Sequence, residues 1–198
     1  MLMARGALTD EWTGFPALPG KHLRWDREKS KHFRLLDADG QAHAHFQTGA
    51  PYLCLRRMTV DGREFEVTTD KGPWTGLYSP WLHQTRQLCE VGSELPVLWT
   101  TGVHFKRDAG TTVHLTDTRS FTFPVDGTRS SRAVMRAVDE SGQDVLWFRK
   151  ARFPGKFLAG PLYEIVVAPQ YEVTTNLLCV AVLASDLLRD FFDNGTGG

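Results

Sequence analysis

From about residue 33 to residue 168 the chain is a succession of short apolar or alternating runs cut by turns built on Gly and Asp. Asp37-Ala38-Asp39-Gly40 divides Phe33–Leu36 from Gln41–Gln47, and Asp61-Gly62 divides Tyr52–Val60 from Arg63–Thr68. Lys71-Gly72-Pro73, Arg107–Gly110, Asp126-Gly127 and Glu140-Ser141-Gly142 cut the following runs. An Asp-Gly pair between two such runs predicts a hairpin, because Gly takes the positive φ that the tight turn demands. Alternation is visible in Arg132–Val138, where Ala133, Met135 and Ala137 share one face. Glu164–Ala168 is almost continuously apolar, as in a strand covered on both sides. Many short strands at regular spacing predict a sandwich or barrel. The stretch Pro80–Leu88 fits a short helix or a loop equally well.

The pattern changes near the C-terminus. Leu177–Ala184 is eight apolar residues in a row, followed by the amphipathic Ser185–Phe192. A helix apolar on every side must be surrounded by protein or lipid. This run falls well short of the roughly 20 residues of a membrane span, so it predicts a buried core helix at about 176–192, with strands around it. The expected fold class is mainly β: a closed antiparallel β-barrel of about 12 strands around a central apolar C-terminal α-helix. Residues 1–20, with Pro16, Pro19 and three glycines, read as an irregular lead-in, 21–192 as one domain and 193–198 as a flexible tail.

Charge removes some functional classes. Lys and Arg number 23, as do Asp and Glu, so no global field recruits nucleic acid or an anionic membrane, and any such contact must be local. Cys54, Cys89 and Cys179 are odd in number and form no CxxC pair, which predicts free, mostly buried thiols in a reducing compartment. The first residues lack a continuous apolar run of the secretory kind, so a cytoplasmic location is expected.

The order of the last third carries a resemblance. A hairpin on Arg132–Val138 and Asp144–Lys150, a Pro154-Gly155 loop, the strand Tyr163–Val167 and a terminal helix running through Ala181-Val182-Leu183-Ala184-Ser185-Asp186 to Phe191-Phe192 resemble the tubby C-terminal-like superfamily. That group joins tubby proteins, LURP-one-related proteins and phospholipid scramblases, and the LURP-one-related branch is the most similar. The resemblance implies the twelve-stranded barrel and, through tubby proteins, recognition of phosphoinositide headgroups by surface cations. Scramblases carry a cysteine-rich run and an acidic calcium-binding segment before the helix. Gln170–Thr175 offers one carboxylate where a calcium site needs six or more oxygen ligands, so calcium-dependent scrambling is not implied.

No motif of hydrolase, nucleotide-binding, zinc-protease or dinucleotide-binding type is present, and a non-enzymatic role without a cofactor is expected. Arg149, Lys150, Arg152 and Lys156 place four cations within eight residues without a carboxylate. Arg forks and Lys point charges suit a phosphate, while Phe153 and Phe157 suit a membrane interface, so anionic lipid or a protein partner is expected here. The bland reading is a solvated rim of charge. His43 and His45 share one strand face and are candidate metal ligands, with His22, His32 or a carboxylate as a third; the bland reading is two solvent-facing histidines. In 21–34 basic residues interleave with Trp25 and Phe33, as in an interfacial segment, although Asp26 and Glu28 favour a solvated edge.

Overall fold

A computed structural model of the chain describes residues 18–29, 31–48, 55–69, 72–73, 86–101, 111–123, 135–151 and 162–194. Strands β1 (Lys21–Lys29), β2 (His32–Leu36), β3 (Ala42–Thr48), β4 (Leu55–Val60), β5 (Arg63–Thr69), β6 (Gly72–Pro73) and β7 (Arg86–Glu90) form the first half. The second half comprises β8 (Pro96–Thr101), β9 (Thr111–Leu115), β10 (Ser120–Phe123), β11 (Met135–Val138), β12 (Asp144–Ala151), β13 (Leu162–Val167) and helix α1 (Thr175–Asn194). Each strand pairs antiparallel in the order β4-β3-β2-β1-β13-β12-β11-β10-β9-β8-β7-β5. Strand β5 then pairs back onto β4, which closes twelve strands into a barrel, and β6 is a two-residue appendage on β5. Closure pairs the backbone groups that an open sheet would leave at its two edges.

Period-two alternation decides which side chains enter the barrel. Leu23 and Trp25 of β1, Phe33 and Leu35 of β2, and Ala44 and Phe46 of β3 are all buried in one core cluster. Trp25 meets Phe46 edge-on at 4.5 Å, and Phe33 stacks on Phe46 at 5.5 Å, distances typical of favourable aromatic pairs. The same cluster contains Leu177–Ala184 of α1, every one of them at most 6% exposed. Eight consecutive buried residues exceed two helical turns, so no face of this part of α1 meets water. The helix is the plug of the barrel. The hydroxyl of Ser185, also buried, donates to the Ala181 carbonyl at 2.7 Å, which satisfies it without a partner outside the helix.

Polar groups fix the point where α1 enters. Thr174 caps it: its side-chain oxygen accepts from the Leu177 amide and its carbonyl from the Leu178 amide. The Thr175 hydroxyl donates to Asp61 in the β4–β5 turn, where Asp61 and Gly62 both adopt positive φ, 49° and 76°. That is the primed hairpin geometry that the Asp-Gly pair predicts. Tyr171 donates to Asp139 at 2.5 Å, tying the approach to α1 onto the β11–β12 turn. Two turns share one design, Asp37-Ala38-Asp39-Gly40-Gln41 and Asp139-Glu140-Ser141-Gly142-Gln143. In each, the leading Asp accepts the amides two and four residues on, and a Gly sits at positive φ.

The antiparallel order gives the barrel two unlike rims. At one lie the short turns 37–41, 61–62, 91–95, 116–119 and 139–143, the connection 168–174 and the start of α1. At the other lie the strand ends Thr48 and Leu55, Thr69 and Arg86, Thr101 and Thr111, Phe123 and Met135, and Ala151 and Leu162. The stretches that join those ends are outside the described residues, apart from β6.

Three expectations change. Residues 21–34 do not form a solvated edge or an interfacial segment, because β1 is paired on both sides and Trp25 and Phe33 point into the core. Arg34 instead pairs with Asp26 across the hairpin at 2.5 Å. Arg86–Leu88, left open between helix and loop, belongs to strand β7, while 80–85 lie outside the described residues. The helix starts at Thr175 and ends at Asn194, slightly longer than the apolar pattern implies. Cys89 and Cys179 are buried free thiols, and burial pushes Cys179 up to about 12; Cys54 lies outside the described residues.

Two tests follow from this packing. Leu183→Ala should cost about 2–5 kcal/mol in chemical denaturation, since the tightly surrounded cavity cannot collapse. Asp139 is held down to about 2 by the Tyr171 hydroxyl, then by Ser141 and the turn amides. Its contribution to stability is therefore complete above the ordinary carboxyl value and fades as pH falls toward 2. Tyr171→Phe should lower stability most above about pH 4, with the gap to the unaltered chain closing near pH 2, measured by urea unfolding across that range.

Candidate functional site

With α1 in the lumen, the described surface available to a ligand is the outside of the barrel and its rims. Arg149 and Lys150 lie near the end of β12, their backbones opposite Glu164 and Tyr163 of β13. Their side chains, and Arg152 and Lys156 entirely, lie outside the described residues. The backbone of Arg149 thus ends beside a carboxylate that the cation count in the sequence did not include.

Glu164 is 3% exposed although it occupies the outward parity of β13, since Ile165 and Val167 belong to the interior cluster. Burying a carboxylate without partners is expensive, and His22 of β1 supplies one through Nδ1 at 2.7 Å from Glu164 Oε1. The other ring nitrogen, Nε2, faces the Leu18 carbonyl at 3.0 Å. Next to it, Gly20 lies so close to the β13 backbone that a Cβ there would sit 2.1 Å from the Val167 carbonyl oxygen. His22 is therefore a fastener between the approach to β1 and β13, and its two ring nitrogens face Glu164 and Leu18, not His43 or His45. The sequence did contain the signal: a carboxylate inside a run covered on both faces must have partners.

His43 and His45 do project from the same outer face of β3, on either side of buried Ala44. Their surroundings separate them. His43 Nε2 lies 2.8 Å from Asp37 Oδ2, and this contact is the foremost cause holding the Asp37 carboxyl below its ordinary value. His45 is exposed and instead lines a shallow depression of about 210 Å³ across β2–β5. His32, Gln47, Arg57, Thr59 and the carboxylates Glu28 and Glu64 share that lining. Register explains the grouping: Arg34, His45, Thr59 and Glu64 form one row across four strands, and His32, Gln47, Arg57 and Glu66 the next. Among the described residues no three His, Cys, Asp or Glu side chains gather where a metal ion could be held.

Trp99 stacks on His114 at 5.4 Å, and Trp147 is half-buried on β12; Trp74 and Trp81 lie outside the described residues. Arg86, at 2% exposure, is a buried cation at the rim of the longer connections, in the stretch whose element type the sequence left open.

No family model matches the chain, and neither does any curated protein or any solved structure.

His43→Ala should let the Asp37 carboxyl rise toward its ordinary value while leaving the His45 ring resonances in place, as read by carboxyl and imidazole NMR titrations. Displacement of the His45 ring resonances in this variant would mean that the two histidines act as one site.

Proposed function

We propose that this chain is a non-enzymatic binding or scaffold domain of the tubby-like, LURP-one-related kind that recognises anionic phospholipid headgroups, phosphoinositides included, through Arg149, Lys150, Arg152 and Lys156. The observation that carries the reading is the filled lumen: Leu177–Ala184 occupies the space in which an open barrel would hold a ligand, so recognition belongs to the outer surface. The cation run supports the choice of ligand, because four positive charges with no intervening carboxylate match a phosphate better than a zwitterion. The backbones of Arg149 and Lys150, near the end of β12, are the described part of this run. On this reading the protein is cytoplasmic and peripheral to a membrane.

A scramblase-like role has less support. It would require α1 to meet lipid, whereas the apolar part of α1 is surrounded by strands, and among the described residues no helix is long and apolar enough to cross a membrane. The depression beside His32 and His45 favours a second reading, a small polar ligand bound on the outer face of β2–β5. His43 contributes nothing to that depression, so the paired-histidine form of this reading is replaced by one centred on His45.

Cosedimentation with vesicles tests the first reading. Binding to vesicles containing phosphatidylserine or a phosphoinositide should exceed binding to phosphatidylcholine and fall with salt. The pair Lys150→Glu and Arg152→Glu should weaken it about tenfold or more, given about 1 kcal/mol for each cation near such a surface. Equal sedimentation with anionic and neutral vesicles would overturn the proposal.

A further inference from the structure

On the outer face of β1–β5, polar side chains are paired in place beside the depression and left unpaired within it. Arg34, the register partner of His45 on β2, is held by Asp26 at 2.5 Å. His43, two residues before His45 on β3, is held by Asp37 at 2.8 Å. Inside the depression this pattern stops. Arg57 of β4 and Glu64 of β5 both line it, both are exposed, and they are opposite in charge. They are also diagonal neighbours, because Arg57 faces Glu66 in register and Thr59 faces Glu64. Such neighbours stand about 7–8 Å apart at the backbone, within reach of long side chains.

Among the described residues the two nevertheless form no ion pair with each other. Arg57 has one loose contact, with Glu66 at 3.8 Å, and the Glu64 carboxylate has none. The side chains of His32, His45, Gln47 and Thr59, which share the lining, make no hydrogen bond among the described residues either. A site that holds both signs apart selects its ligand by charge. A bare anion there meets Glu28 and Glu64, and a bare cation meets Arg57. A molecule carrying an ammonium and a carboxylate on one carbon satisfies both, with its carboxylate on the planar fork of Arg57 and its ammonium on Glu64. The imidazoles, the Gln47 amide and the Thr59 hydroxyl then supply donors and acceptors for a polar substituent.

We propose that the depression over β2–β5 binds a free α-amino acid, with Arg57 as the carboxylate ligand and Glu64 as the ammonium ligand. This inference rests on the second reading above, a small polar ligand on that face, and names its chemical class. Size agrees with it: about 210 Å³ lies below the roughly 300–1,000 Å³ of sites for larger ligands, which suits a single residue and not a peptide.

The imidazole resonances of His32 and His45 report occupancy, followed by proton–carbon NMR as each of the common L-α-amino acids is added at millimolar concentration. At least one should move both rings, while the His43 ring, held by Asp37 outside the lining, stays in place. Removing either charge of that amino acid, as its deamino acid or its decarboxylated amine, should weaken binding about tenfold or more. Arg57→Gln and Glu64→Gln should each do the same, since each deletes one charge-assisted contact. Far-ultraviolet circular dichroism checks that both variants are folded. Binding that survives both substitutions, or a deamino acid or amine that binds as well as the amino acid, overturns the inference and leaves a small polar ligand in place. If no probe moves either ring, the depression is not a site for small polar ligands and the inference falls with that reading.

Discussion

The structure depends on one packing relationship: an apolar helix inside a closed ring of strands. A ring of twelve strands with an inward apolar face would enclose an empty or water-filled lumen, and neither is tolerable for a surface of Phe, Leu and Val. A helix apolar on all sides is equally untenable in water. Each element removes the other's exposed area, and neither has a reason to persist alone. The details at its entry serve this insertion: the Thr174 cap, the Thr175–Asp61 bond and the Tyr171–Asp139 bond all act where the chain turns from the wall into the lumen.

Filling the lumen moves chemistry to the outside, and there the barrel is not uniform. Its outward rows mix carboxylates, imidazoles and guanidiniums whose neighbours are set by register, as in the row Arg34, His45, Thr59 and Glu64. At the rim where α1 enters, the described connections carry mostly acids. Turns at the α1 entrance favour Asp because its carboxylate bonds the turn amides, so part of the negative rim is a by-product of making tight turns. Asp39, Glu94 and Glu172, exposed in the same connections, go beyond that need.

The candidate residues were legible to different degrees. The Arg149–Lys156 run is visible as composition, but the position of the Arg149 backbone opposite Glu164 depends on the β12–β13 register. His43 and His45 sit on one face, as spacing of two requires, yet one is taken by Asp37 and the other lines the depression with His32. Spacing within a strand sets the face a side chain shares; it does not identify the residues that other strands bring to it. The His22–Glu164 contact spans 142 residues and has no local signature beyond a carboxylate in an apolar run.

The sequence alone determined the strands, their turns, the buried helix and thereby the barrel class, because period-two alternation, Asp-Gly turn chemistry and an all-round apolar run are local properties of the chain. It misassigned Trp25 and Phe33, since basic neighbours made an interior hairpin resemble an exposed one. Only the tertiary structure decided that β5 returns to β4, that all the short acidic turns share one rim, and which side chains become neighbours across strands. Those outcomes follow from closure and register, and both are settled by the simultaneous pairing of segments far apart in the chain, where no local pattern can act.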